Sequence, residues 1–296
     1  NFEAFDVTEK IKKQLAFETY TIKILDNLVD GKTLKNQDNF LKIDFETDGN
    51  LRTEIIPEGE FLNLGKTIPV SKIYKKDENT IWKTPFSGTL SYKTKSGKSK
   101  SVKVKVPKPI VLSEDWEVIF PLKNGTLKKK NYKKLTSWSE AFDEEIQHFS
   151  GTAIYKRTIK LSRKQVSKEN ALELDLGSIG SIAEVILNGK RVGTLWKAPF
   201  RIDITDFVKS GKNSLQIKIT NLWVNRLIGD EKFPLDYERK DDKIKKLPIW
   251  LNNPNSRSSK RQTFASWKHW GKEDELQLSG LLGPVKINIF CIKKLN

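Results

Sequence analysis

Stretches that alternate apolar and polar residues with a period of two recur along this chain, and they decide most of what it can fold into. Thr21-Ile22-Lys23-Ile24, Val102–Val106, Leu172-Glu173-Leu174-Asp175-Leu176, Leu215-Gln216-Ile217-Lys218-Ile219 and Val285-Lys286-Ile287-Asn288-Ile289 all follow it. This is the signature of strands with one face on a core and one on solvent. Long amphipathic helices are absent, and the helical pieces read as single turns such as Asp206–Lys209. Many short strands separated by turn residues predict an all-β chain of tandem β-sandwich domains. Asn188-Gly189, between Glu184–Leu187 and Arg191–Leu195, predicts a tight hairpin. Pro107 and Pro109 cannot continue a central ladder. The expected junction therefore lies there, with one β-sandwich-like module over residues 1–110 and a second β domain over 111–296.

Length agrees with two domains, and 8 Trp and 15 Phe among 296 residues supply a core. Charged residues make up 31% of the chain, above the usual share of about 25%. Cys291 is the one cysteine, which excludes a disulfide framework and a cysteine zinc site. Two histidines, His148 and His269, argue against a histidine-rich metal or relay site. No charge-free apolar stretch approaches the roughly 18 residues of a transmembrane helix. The sequence contains no Met and opens without a basic-then-apolar leader, so it reads as a processed chain or a fragment.

Lysine and arginine outnumber acids 54 to 37, a formal charge of +17, yet only 9 of the 54 are Arg. Direct readout of bases and phosphates leans on the planar, bidentate guanidinium, so nucleic acid is not the expected partner. An anionic polysaccharide would feel the same field without needing that fork. Tyr92–Lys134 holds 13 Lys against three acids. In Val102-Lys103-Val104-Lys105-Val106 those lysines simply occupy the solvent side of a strand.

An internal repeat is visible. Phe5-Asp6-Val7-Thr8, Lys12-Lys13 and Thr21-Ile22-Lys23-Ile24 match Ile202-Asp203-Ile204-Thr205, Lys209 and Gln216-Ile217-Lys218-Ile219. Each copy reads as strand, turn capped by Asp and Thr oxygens, helical turn, strand. The first copy stands at the very start, so the opening strands are expected to belong to a neighbouring sandwich. Thr80–Phe86 also echoes Thr194–Phe200, but the residues after the two copies have nothing in common.

The segments FSGTAIYKRTIKL (Phe149–Leu161), LELDLG (Leu172–Gly177), AEVILNGKRVGTLWKAPFRIDIT (Ala183–Thr205) and LQIKITNLWVNRLIGDE (Leu215–Glu231) resemble the galactose-binding-like jelly roll used as a sugar-binding domain in glycoside hydrolases. NLWVNRLIGDE (Asn221–Glu231), TFASWKHW (Thr263–Trp270) and SGLLGPVKI (Ser279–Ile287) resemble the C-terminal region of family-106 glycoside hydrolases, the α-L-rhamnosidases of bacterial polysaccharide degraders. The resemblance covers about Val111–Ile289. It implies that the catalytic carboxylates and their calcium lie in a barrel domain preceding this region. No part of this chain reads as an alternating βα barrel. The implied role is therefore accessory, with a missing N-terminal catalytic domain and a rhamnose-containing glycan as partners, in a secreted or periplasmic bacterial protein. No catalytic residue and no cofactor are assigned here. The fold class accommodates a structural calcium, whose oxygen ligands the sequence does not place.

Between the last two strands lies Asn221–Gly283, a connection long enough to be functional in a compact sandwich. Sugar sites need flat aromatic faces for the apolar side of the ring and Arg, Asn or acids for hydroxyls. Trp223, Arg226, Glu231, Arg261, Trp267, His269 and Trp270 are the candidate carbohydrate contacts. Trp223 is expected to be buried as scaffold, with Arg226 and His269 nearer the rim. The same tryptophans would equally serve to pin a long loop. A glycosidase needs two carboxyls roughly 5–9.5 Å apart across a cleft. Asp230 with Glu231, Asp236 with Glu238, and Glu273 with Asp274 and Glu275 read instead as solvated loop acids. The competing readings are a stand-alone carbohydrate-binding module and a glycosidase whose site is this loop.

Overall fold

The structure is a computed structural model that describes residues 71–295 apart from 113, 124, 242, 254, 255 and 258, together with four strands nearer the start. The chain divides into two compact units, Asn1–Ile68 and Pro69–Asn296. The junction expected near residue 110 falls inside the second. In the first unit β1 (Thr21–Lys23) pairs antiparallel with β4 (Phe61–Asn63), and β2 (Phe40–Thr47) pairs with β3 (Asn50–Pro57). The first copy of the internal repeat otherwise lies outside the described residues.

The second unit opens with two hairpins, β5 (Lys72–Lys76) with β6 (Asn79–Thr84) and β7 (Gly88–Lys93) with β8 (Ser99–Val104). In β8 Val104 is buried while Lys103 stays exposed, as the alternation requires. The segment with Pro107 and Pro109 runs outside any strand into the two-residue β9 (Ile110–Val111). Then come β10 (Glu114–Pro121), β11 (Leu127–Lys134), β12 (Thr152–Leu161), β13 (Asn170–Asp175), β14 (Ser178–Ile179), β15 (Ile182–Leu187), β16 (Lys190–Leu195), β17 (Arg201–Asp203) and β18 (Gly211–Thr220). After the long loop, which contains β19 (Arg239–Lys240) and β20 (Lys243–Ile244), the chain ends with β21 (Leu281–Gly283) and β22 (Lys286–Leu295).

Two six-stranded sheets form the sandwich, in the orders β11-β10-β12-β18-β15-β16 and β17-β13-β22-β6-β5 with β9 also on β22. The fold is all-β, as the alternation predicts. Leu172, Leu174, Leu176, Leu215, Ile217 and Ile219 are all buried in one core, while Glu173, Gln216 and Lys218 keep partial exposure. The Asn188-Gly189 turn joins β15 to β16 with positive φ at both residues, the geometry an Asn-Gly hairpin favours. The Thr205 turn also holds: Thr205 N–H donates to Asp203 Oδ1, and the Thr205 hydroxyl accepts from Leu172 N–H. Strand β22 departs from simple alternation, with Ile287 to Cys291 buried throughout. Its inner face joins the main core, and its far end joins a second cluster of Trp82, Val104, Cys291 and Leu295.

At one end of the sandwich Phe120, Trp138, Phe149 and Tyr155 pack mostly edge to face. The buried Tyr155 hydroxyl accepts from Trp138 Nε1–H (2.6 Å) and from Leu281 N–H (3.1 Å). Burial pushes the Tyr155 pKa up, so the phenol stays neutral. Among the described residues no helix is long and apolar enough to cross a membrane.

Leu174→Ala and Ile217→Ala should each cost about 2–5 kcal/mol. Tyr155→Phe should cost about 1–3 kcal/mol for each donor it orphans. Urea unfolding checks all three; a Tyr155→Phe protein as stable as the parent would contradict the role assigned to that hydroxyl.

Candidate functional site

The long loop is held at both ends by buried amides. Asn221 Nδ2 donates to Phe149 O and its Oδ1 accepts from Gly151 N–H. Asn225 Nδ2 donates to Gln277 O and Ser279 Oγ, and its Oδ1 accepts from Gln277 N–H. Ser279 N–H in turn donates to Ser137 Oγ, and Ser279 O accepts from Trp138 N–H. The loop thus begins and ends on the same corner of the sandwich, and most of its backbone is free to build a surface.

Part of it is regular after all. Residues Val224–Asp230 form an α-helix of two turns, where the sequence suggested single turns at most. Asn225, Arg226, Ile228, Gly229 and Asp230 are its buried residues. Gly229 permits close approach: a Cβ there would lie 2.6 Å from the His148 ring and 2.7 Å from Arg226 Nη2. Arg226 Nε lies 2.9 Å from Asp230 Oδ1, one turn on. The N–H does not point at that oxygen, so the contact is Coulombic rather than a hydrogen bond. Asp230 Oδ2 accepts from Gln262 N–H, Thr263 N–H and the Thr263 hydroxyl at 2.6–2.8 Å. One buried carboxylate therefore ties the helix to the returning chain.

Arginine organises the remainder. Arg261 is 5% exposed and donates to Phe233 O, Pro234 O and Glu231 Oε1. Arg257 pairs with Asp236 at 2.6 Å, donates to Thr263 O, and lies 4.1 Å over the Trp250 ring. Trp250 and Tyr237 each meet Phe264 edge to face, a small core internal to the loop. Arg239 donates to the Tyr237 hydroxyl and sits 5.0 Å over that ring, and the Tyr237 hydroxyl donates to Ala265 O.

Above this framework is a small surface pocket lined by Leu227, Glu231, Arg239, Ala265 and Trp267 to Trp270. Four of the residues singled out in the sequence, Glu231, Trp267, His269 and Trp270, come together there. Trp267 is 50% exposed, and its Nε1–H donates to His269 Nδ1 at 3.1 Å. Arg261 lies behind the pocket as a staple on Glu231. Two expectations are reversed. Trp223 is 62% exposed, because it stands at the position before the helix, where its ring projects off the end. Arg226 is 7% exposed, because its i,i+4 partner Asp230 lies on the buried helix face. Arg239 and Lys268 were not singled out. Arginine scarcity was the usable signal, since four of the chain's nine arginines fall in this loop.

Three further loop acids have polar or charged neighbours close by. Asp274 accepts from Gly271 N–H, Glu273 lies 3.7 Å from Lys272, and Glu238 lies 3.3 Å from Lys245. Among the described residues no three His, Cys, Asp or Glu side chains group to hold a metal ion, so a calcium site acquires no ligand set of that kind here.

The pocket thus brings aromatic and charged side chains together on a loop of the β-sandwich. Residues 133–280, half of the chain, match the family described as "Glycosyl hydrolase 2 galactose-binding domain-like", and the chain belongs to that family. It is 52% identical, over its whole length, to a Formosa agariphila protein named "Putative beta-glucuronidase", of which it spans 26%. Among solved structures, a rhamnosidase from Novosphingobium sp. PP1Y overlaps 96% of this chain and 26% of that one, at 20% identity and TM-score 0.49. An FMN-binding beta-glucuronidase from Facaelibacterium prausnitzii L2-6 overlaps 62% and 22%, at 19% identity and TM-score 0.36.

Asp230→Ala should destabilise by about 3–5 kcal/mol, since it leaves Arg226 buried without its countercharge; a melt or urea curve measures it. Burial also holds the His148 imidazole below the ordinary value of about 6.5. The unfolded chain then takes up a proton first as pH falls. Stability should decline below about pH 6.5 and level off once the folded imidazole is also protonated. His148→Gln should flatten that portion of the pH–stability curve.

Proposed function

We propose that this chain is a non-catalytic, carbohydrate-contacting region of a glycoside hydrolase acting on a rhamnose-containing polysaccharide. The observation that carries the reading is the state of the loop carboxylates. Asp230 is buried, with Oδ2 taken up by backbone and hydroxyl donors and Oδ1 facing Arg226, and Asp236 and Glu231 are paired with Arg257 and Arg261. Among the described residues the pocket presents a single carboxylate, Glu231, whereas glycoside hydrolysis uses two across the scissile bond. What remains accessible is Trp267 with His269, an aromatic face and an imidazole, the equipment for holding a sugar.

The long ordered motifs Asn221–Glu231, Thr263–Trp270 and Ser279–Ile287 support the rhamnosidase-type parent. That the chain spans about a quarter of its relative supports a catalytic domain elsewhere in the protein. The exposed Leu222 and Trp223 suit a contact with such a domain, because large apolar side chains grouped on a surface favour a partner. Secretion or periplasmic residence fits the same parent.

The isolated chain should show no turnover of aryl α-L-rhamnosides or aryl β-D-glucuronides above background. Robust turnover that disappears in Glu231→Gln would place chemistry in the loop and overturn the reading. Trp267→Ala should weaken binding of rhamnose-containing oligosaccharides several-fold while moving Tm by no more than a few degrees, because half of that ring already faces water.

A further inference from the structure

We infer that the loop pocket takes the carboxylate of an acidic sugar, a uronate residue, with Arg239 and Lys268 as its cations and Trp267 as the face for the sugar ring. This rests on the carbohydrate-contact reading above and names the ligand class. The charge inventory of the loop arginines carries it. Arg226 has Asp230 as its carboxylate and Arg257 has Asp236, one cation to one anion. Arg261 and Arg239 share a single carboxylate, Glu231, and they share it unequally. Arg261 Nη1 is 3.0 Å from Glu231 Oε1, and Arg239 Nη1 is 3.8 Å away, beyond hydrogen-bond reach.

Arg239 is therefore a guanidinium without a carboxylate of its own, although its side chain is only 8% exposed. One of its donors reaches the Tyr237 hydroxyl, and its Nε–H is buried with no acceptor. A guanidinium carries five N–H groups in a fixed fork, and two guanidiniums largely removed from water around one carboxylate leave an uncompensated positive charge, which is costly. An incoming carboxylate would supply the second anion that these two guanidiniums lack, as a charge-assisted partner. A hydroxyl would not. Lys268, exposed on the same pocket, adds a second cation at the rim.

The pocket's size and its aromatic wall complete the assignment. The pocket is small, suited to a substituent group rather than a whole ring. Trp267 stands beside it, half exposed, its indole fixed by the hydrogen bond to His269. Since His269 Nδ1 accepts from the indole, its ring proton sits on Nε2, leaving a donor available for a sugar hydroxyl. A carboxylate in the pocket with the pyranose on the indole uses Arg239, Lys268, Trp267 and His269, while Glu231 stays paired with Arg261.

The test is calorimetric titration of the full chain with D-glucuronate, its methyl ester, L-rhamnose and inorganic sulfate. Glucuronate should bind at least about tenfold more tightly than its ester and than sulfate, the order expected for a charge-assisted bond. That preference should shrink about threefold in Lys268→Ala, whose exposed side chain can go without disturbing Tm. Arg239→Lys should retain part of the preference and Arg239→Gln should lose it. Equal affinity for glucuronate and its ester, tighter binding of sulfate, or a Lys268→Ala protein with undiminished preference would each overturn the assignment. If the ester and L-rhamnose bind as well as glucuronate, the acid pocket fails and the carbohydrate-contact reading stands. If none of the sugars binds, both fail.

Discussion

The second unit depends on one buried hydroxyl. Tyr155, in the middle of β12, accepts hydrogen bonds from the Trp138 indole and from the backbone N–H of Leu281. The first contact fixes the segment before β12 over the aromatic end of the core. The second fixes the point where the long loop returns to the sandwich. Residues 126 positions apart in sequence meet at one oxygen. In a low-dielectric interior such bonds are strengthened, and leaving any member unpaired is expensive. Ser137, Ser279, Asn221 and Asn225 extend the same junction with further side-chain-to-backbone bonds. Closing a loop this long costs conformational entropy that grows only slowly with length. Once both ends are anchored, the loop is released to vary its surface without loss of the fold.

Inside the loop, arginine replaces hydrophobic packing as the organising principle. A segment outside the sandwich cannot bury enough apolar surface to order itself by that means alone. Arg257 and Arg261 instead collect backbone carbonyls of Thr263, Phe233 and Pro234 that no β-ladder would satisfy. Lysine, with a point charge on a flexible stem, could not bridge several acceptors in one plane. In a chain whose basic residues are overwhelmingly lysine, the arginines therefore mark where irregular backbone is fixed. The one guanidinium in this loop that lacks a dedicated carboxylate, Arg239, is also the one that lines the pocket.

The family membership and the site stand at different levels. The galactose-binding-like fold is carried by the alternating strands and is shared by enzymes of unlike specificity, so the fold alone does not name a substrate. The aromatic face and the cation surplus of the loop are features of individual residues rather than of the architecture, and the proposed specificity rests on them.

Much of the sandwich is legible in the sequence. Period-two alternation assigns Leu172, Leu174 and Leu176 and their partners on β18 to the core, because side chains of a strand must point alternately to opposite faces. The Asn188-Gly189 turn is equally local, since few other residue pairs tolerate two successive positive φ angles. The loop is different. That it carries aromatic and charged groups suited to a sugar is visible in composition, and Glu231, Trp267, His269 and Trp270 do converge. Which of its residues are buried is not visible. Trp223 projects into solvent and Arg226 lies inside, because a two-turn helix places Arg226 and Asp230 on its covered face and leaves the residue before it at the open end. Charge balance was equally hidden. Whether an arginine has a carboxylate to itself depends on contacts across 30 residues, as between Arg261 and Glu231, and such pairings obey no period. The local pattern determines the strands; only the closed loop, in three dimensions, decides which cations must share one carboxylate.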